Sequence, residues 1–245
     1  MKKYMKRITL TLGIILAVLA SLVLIYTSDY YHASSEAQQY LTQTDNQIHI
    51  TEQNGYISFL PENPVAGFIF YPGGKVACEA YAPLLYKCAQ AGILCVMPRM
   101  PLNLAVFGID RADGIQKRYP QISKWYIGGH SLGGSMAAQY LSAHSDAFDG
   151  LILLASYSAS DLHDSNISVL SVYGSEDHVL NMNKYQVNKK NLPDDLTEKI
   201  IPGGIHSYFG MYGLQKGDGT PAVSNSNQLD MTVQLIVSWI GSHPQ

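Results

Sequence analysis

Residues 127–136 read IGGHSLGGSM, and the pentapeptide Gly129-His130-Ser131-Leu132-Gly133 within them has the form G-x-S-x-G. That pattern does chemistry when it turns sharply from a strand into a helix. Glycines two before and two after the serine let strand and helix approach, and the hydroxyl projects clear of its neighbours from strained backbone. The first amide of the helix, here that of Leu132, then points to where an oxyanion would form. A phosphate-binding loop is the competing use of such glycines. It needs a G-K-[ST] ending, which this stretch lacks.

A nucleophilic serine requires a base, and the base an orienting acid. On a strand–turn–helix serine the order along the chain is Ser, Asp or Glu, His. YGSEDHV supplies the acid: Asp177 follows the apolar run SVLSVYG, and Glu176 is its neighbour. IIPGGIHSYFG supplies the base, His206, after TEKIIPG and in a loop opened by Gly203 and Gly204. The other histidines fit worse. His32 and His49 come too early, His144 and His243 end helical patterns, and His163 sits in a polar loop. His130 belongs to the turn itself, and His178 has no later acid at a strand end. A second oxyanion donor is expected from Gly73-Gly74-Lys75, which ends the run AGFIFYP; Gly74 and Lys75 are both candidates.

The elements that must hold these residues follow from hydrophobic periodicity. IHITEQ and YISFL alternate about Asn54-Gly55, a hairpin signal. AGFIFYP, ILCVMP, KWYIGG, FDGLILLAS and SVLSVYG are apolar runs of strand length, and TEKIIPG is a further strand. Between and after them EAYAPLLYKCAQAG, GIDRADGIQKRYP, LGGSMAAQYLSAH, NMNKYQVNKKN and NQLDMTVQLIVSWIGSH read as helices. Strands buried on both faces look like this, so the order predicts an α/β domain: an open, doubly wound, mostly parallel sheet preceded by an antiparallel hairpin. Ligands then belong at the carboxyl ends of the strands. The link YSASDLHDSN before the acid strand is too short for a helical lid, so no cap domain is expected. Tyr208, Phe209, Met211 and Tyr212 after His206 either line a pocket or pack their loop down.

FYPGGKV, EAYAPL, MPLNLAV, GGHSLGG, YGSEDHV and GIHSYFGMYGLQKGDG together resemble the small single-domain α/β-hydrolases, specifically the family-5 group related to dienelactone hydrolases. The resemblance runs from about Ala66 to the C-terminal helix. It implies the α/β-hydrolase fold, a triad at Ser131, Asp177 and His206, and an oxyanion loop at Gly73-Gly74-Lys75. Pro72 stands where many such enzymes have histidine, and Ser131 where dienelactone hydrolases proper have cysteine, so lactone chemistry does not transfer. The expected activity is that of a serine esterase acting on a small-molecule or lipid-like ester, with no metal or organic cofactor. The alternatives are an acyltransferase or serine peptidase on the same triad, or a catalytically silent surface binding module.

The rest of the chain bounds where this happens. Of 245 residues 47% are apolar, ample for a core. Lys2, Lys3, Lys6 and Arg7 take four of the 16 basic residues, which leaves the remainder at −7 and makes nucleic acid an unsuitable partner. Ile8 to Tyr26 carries no charge over 19 residues, long enough to cross a membrane as a helix. The basic cluster before it favours a cytoplasmic N-terminus. The expected organisation is a transmembrane signal anchor at 1–26, a stalk at 27–45 and the catalytic domain at 46–245, outside the cell membrane. A cleaved signal peptide ending at Ala20, hence secretion, is the rival. Cys78, Cys88 and Cys95 lack metal-ligand spacing and read as small buried hydrophobes. If the anchor reading is right, the protein stays with membranes through a high-salt wash, and protease added outside the cell digests the domain. A mature N-terminus at Ser21 or later, with soluble protein in the medium, would contradict it.

Overall fold

A computed structural model describes residues 2–43 and 47–242. It divides into two units, residues 1–30 and 31–245. In the first, helix α1 (Lys2–Ser28) is apolar from Ile8 onward. Its 27 residues correspond to about 40 Å at 1.5 Å per residue, more than the roughly 30 Å of a bilayer's hydrocarbon. It is long and apolar enough to cross a membrane, a property that signal sequences share.

The second unit starts with a segment that the sequence assigns to a stalk. From Tyr31 it is laid on the domain: Tyr31 forms a parallel β-bridge with Val76, and the short helix α2 (Ser35–Gln39) buries Ala37. Ser34 caps α2 by accepting the Ala37 amide. Asp45 and Asn46, the expected stalk–domain boundary, fall outside the described residues.

Eight strands follow: β1 (Ile48–Gln53), β2 (Tyr56–Pro61), β3 (Ala66–Tyr71), β4 (Ile93–Pro98), β5 (Trp125–His130), β6 (Gly150–Leu154), β7 (Ser168–Gly174) and β8 (Leu196–Ile201). They form one sheet in the order β1-β2-β4-β3-β5-β6-β7-β8. The β1–β2 hairpin and the β2–β4 pair are antiparallel, and every later pairing is parallel. Both faces are covered, and the pleat sorts the side chains. Phe68, Phe70, Ile152 and Leu154 join the core under α3 (Ala82–Gln90) and α6 (Asn225–Ser242). Ile69, Tyr71, Leu151 and Leu153 join the core on the side of α4 (Leu132–Leu141). Helix α5 (Met182–Asn188) packs Tyr185 by β7 through Tyr173. His243, expected to end the last helix, lies outside the described residues.

One expected helix is absent. Residues 108–120 form two 3₁₀ turns, Ile109–Ala112 and Gln116–Arg118, rather than an α-helix. The buried Tyr71 hydroxyl donates to the Ile109 carbonyl (2.5 Å) and accepts the Ala112 amide (3.0 Å), taking backbone groups that a helix would pair internally. Asp113 is extended (φ −55°, ψ 130°), which ends the first turn. Among the described residues no helix intervenes between β6 and β7, so nothing caps the carboxyl edge there. The three cysteines are buried and unpaired, and burial pushes the Cys78 thiol up to about 12.

The chain leaves β3 for β4 on one side and later crosses to β5 on the other. The gap between the carboxyl ends of β3 and β5 is therefore the topological switch point, where a ligand approaches this kind of sheet.

Candidate active site

Five of the six non-glycine residues with positive φ among the described residues sit just past strand ends at this edge. They are Lys75 after β3, Leu102 and Asn103 after β4, Ser131 after β5 and Ala155 after β6. Such backbone costs about 1–3 kcal/mol per residue and persists only where the surroundings impose it. At Ser131 (φ 52°, ψ −123°) the surroundings are explicit. Its amide donates to the Leu154 carbonyl (2.9 Å), and its carbonyl accepts the Ser156 hydroxyl (2.7 Å). A side chain at Gly129 or Gly133 would collide with the Tyr71 carbonyl, so the turn is held against the end of β3 only because both positions are glycine.

Asp177 and His206 meet as the order of strand ends predicts. Asp177 Oδ2 lies 2.9 Å from His206 Nδ1, with side chains 1% and 2% exposed. The other carboxylate oxygen accepts the amides of Val179 (2.9 Å) and Leu180 (2.7 Å). The Asp177 carboxylate thus has acceptor bonds on both oxygens at a position almost closed to solvent. Glu176 turns elsewhere, its carboxylate accepting the Ser175 hydroxyl (2.9 Å). His206 Nε2 is buried and has no hydrogen-bond partner among the described residues, so no bond yet joins it to Ser131. Ser131, Leu132 and His206 line one cavity of about 230 Å³, whose walls include Ala155, Tyr157, Val179 and Leu180. Catalytic hydrogen bonds are often loose before substrate binds.

The loop after β3 separates the two donor candidates. The Lys75 amide donates to the Asn103 carbonyl (2.8 Å), and the Gly73 amide to the Tyr81 hydroxyl (3.1 Å). The Gly74 amide has no acceptor within the described residues. A Cβ at Gly74 would lie 2.7 Å from the Leu132 side chain, which sets Gly74 beside the start of α4. Leu132 is the first residue of that helix, so its amide has no partner in the helix ladder.

Three supports are invisible in the motif. The Tyr81 hydroxyl accepts from Gly73 and lies 2.8 Å from His130 Nδ1. With one proton to give, it donates to that nitrogen. Burial first, and then the neighbouring His206 with rings 4.5 Å apart, hold the His130 pKa well below its ordinary value. Asp218 grips the loop that bears His206: Oδ1 accepts the His206 amide (3.1 Å), and Oδ2 accepts the amide (2.7 Å) and hydroxyl (2.8 Å) of Ser207. Its only trace in the sequence is the Gly217-Asp218-Gly219 turn. Phe209, Met211 and Tyr212 are buried in the main core, and the cavity is lined by other residues, so they pack their loop down.

Comparison with known proteins agrees with this architecture. Residues 67–230 match the alpha/beta hydrolase family, and the chain belongs to it. Among solved structures, the dienelactone hydrolase of Anabaena variabilis superposes with a TM-score of 0.61 at 13% identity, covering 82% of this chain and 100% of its own. A predicted CIB-like hydrolase from Thermoplasma acidophilum gives 0.54 at 18% identity, over 78% and 98%. MGS-MChE2, an alpha/beta hydrolase enzyme from a lagoon-sediment metagenome, gives 0.58 at 13%, over 79% and 98%. At these identities the likeness is one of fold. No curated protein matches the chain in sequence.

Two expected outcomes follow from the strain and the burial. Ser131→Gly removes the Cβ from a left-handed position and stabilises the fold by about 1 kcal/mol, a rise of about 2–4 °C in Tm by thermal unfolding. A fall in Tm would show that Ser131 is not strained. His130 resists protonation in the folded state, whereas the unfolded chain binds that proton near the ordinary histidine value. Stability is therefore full above that value and declines as pH falls below it, by up to about 1.4 kcal/mol per pH unit. Urea titrations between pH 7 and 5 should show a shallower decline in His130→Asn, and parallel declines would contradict the assignment.

Proposed function

We propose that this alpha/beta hydrolase is a serine esterase acting through Ser131, His206 and Asp177. The observation that carries the reading is the buried Asp177–His206 pair, whose Nε2 is left without a partner while His206 lines the same cavity as the strained Ser131. His206 Nε2 takes the Ser131 proton as Oγ bonds to the ester carbonyl carbon. The carbonyl oxygen becomes an oxyanion held by the Leu132 and Gly74 amides. Asp177 fixes the His206 tautomer with the proton on Nδ1 and stabilises the imidazolium. The intermediate collapses, the C–O bond to the alcohol breaks, and His206 returns its proton to the departing oxygen. Water then attacks the acyl-enzyme, giving its proton to His206, and Ser131 recovers it as the carboxylic acid leaves. Every step is closed by the chain's own groups.

The cavity is below the usual 300–1,000 Å³ of drug-sized sites, which matches a short acyl group, with the alcohol part left towards the uncapped edge. We further propose that α1 anchors the protein in the cell membrane with the hydrolase domain outside, in accord with the basic residues before its apolar run.

The test is kinetic, with p-nitrophenyl acetate and the full chain in detergent. Ser131→Ala should abolish turnover without loss of fold. Asp177→Asn should lower kcat by about 10⁴-fold, because an amide no longer holds the productive tautomer. Glu176→Gln should keep nearly the whole rate. Turnover surviving Ser131→Ala, or a crippled Glu176→Gln beside an active Asp177→Asn, would overturn the assignment.

A further inference from the structure

The proposed oxyanion loop is pinned peptide by peptide. Tyr81 holds the Gly73 amide, and Asn103 holds the Lys75 amide. The third pin comes from far away in sequence. The Tyr31 amide donates to the Lys75 carbonyl (2.8 Å), and the Tyr31 carbonyl accepts the Ala77 amide (2.9 Å). Lys75, with φ at 58°, is thus clamped on its N–H by Asn103 and on its C=O by Tyr31. The peptide between Gly73 and Gly74, which carries the open Gly74 N–H, lies between pinned neighbours and has little freedom to turn.

The same residue reaches the loop that bears His206. The Tyr31 hydroxyl accepts the Lys216 amide (3.0 Å). The Tyr31 ring packs on Tyr212, with centroids 5.5 Å apart. Three residues on, the Ser34 amide donates to the Met211 carbonyl (2.8 Å), while the Met211 amide donates to Ala80, next to Tyr81 (2.8 Å). Tyr31 and Ser34 therefore tie together the two loops whose separation sets the distance from oxyanion donor to base. Neither residue lines the cavity.

We propose that residues 31–34 are a strap that positions the active site, with Tyr31 as the positioning residue that sets the oxyanion loop against the base loop. The inference rests on the esterase reading above. A misplacement of about 1 Å in such a site costs about a hundredfold in rate, so loss of the strap should appear in kcat. Substrate contacts are untouched, so KM should change little. The Asp177–His206 pair is untouched as well, so the pH profile should keep its midpoint.

The experiment uses the full chain in detergent, with catalytic sites counted by fluorophosphonate titration and kcat expressed per titrated site. Tyr31→Pro deletes the side chain together with the N–H that holds the Lys75 carbonyl. Tyr31→Ala deletes the ring and hydroxyl, and Tyr31→Phe the hydroxyl alone. The expected result is a per-site kcat falling about ten- to a hundredfold in Tyr31→Pro and less in Tyr31→Ala, with Tyr31→Phe close to wild type. A merely structural role would lower the number of titratable sites and leave kcat per site unchanged; that result would overturn the proposal. Should Tyr31→Pro yield no titratable sites, Tyr31→Ala decides: a lowered per-site kcat supports the strap and a wild-type value refutes it. A wild-type chain that neither labels nor hydrolyses ester fails the esterase reading and the strap with it. An active wild type with unaltered variants fails the strap alone.

Discussion

The close approach of the β5–α4 turn to the end of β3 is the constraint on which the rest of the site depends. Glycine at 129 and 133 lets the turn lie against the Tyr71 carbonyl. That contact keeps Ser131 at a positive φ, with the backbone bonds to Leu154 and Ser156 closing the cage. It also delivers Leu132 to the side of Gly74, so nucleophile and proposed oxyanion donors are fixed by one packing event. The energetic cost of the strain is local, and the compensation is spread over a sheet buried on both faces.

Around this turn the sheet allots one role to each strand end. β3 leads into the proposed oxyanion loop, β5 into Ser131, β7 into the proposed acid and β8 into the proposed base, while β6 contributes Ala155 to the cavity wall. The crossing of the chain between β3 and β5 makes the switch point, and the parallel register sets all four carboxyl ends on one edge. The supporting groups are polar, one buried and the others half-buried: Tyr81 and Asn103 at one loop, Asp218 at another, Tyr31 between them. Each pairs with backbone amides or carbonyls of these loops.

Much of this was legible in the chain. The strands of the parallel part are short continuous apolar runs bounded by glycine, proline or polar turns, and their alternation with helical periods leaves few topologies. Ser131 was marked by its G-x-S-x-G turn, and Asp177 and His206 by their places after later strands together with the family resemblance. Residues 108–120 misled because their spacing suits a helix, while a buried hydroxyl 38 residues away in sequence, that of Tyr71, pairs with the Ile109 carbonyl instead. The choice between Gly74 and Lys75 was unreadable for the same reason, since it turns on the Asn103 carbonyl. Asp218 and Tyr31 act through backbone groups distant in sequence, and no local pattern marks such partners. Residues 31–43 looked like linker because they are polar, yet Tyr31 and Ser34 hydrogen-bond to loops of the domain and Ala37 is buried.

In the proposed mechanism Ser131 attacks a carbonyl whose oxygen is received by the amides of Leu132 and Gly74. A crystal structure of the protein after reaction with an alkyl fluorophosphonate tests it most directly. Phosphorus should be bonded to Ser131 Oγ, with the phosphoryl oxygen within hydrogen-bond distance of both amides and His206 Nε2 turned towards the adduct. Phosphorus on another residue, or a phosphoryl oxygen bound to neither amide, would contradict it.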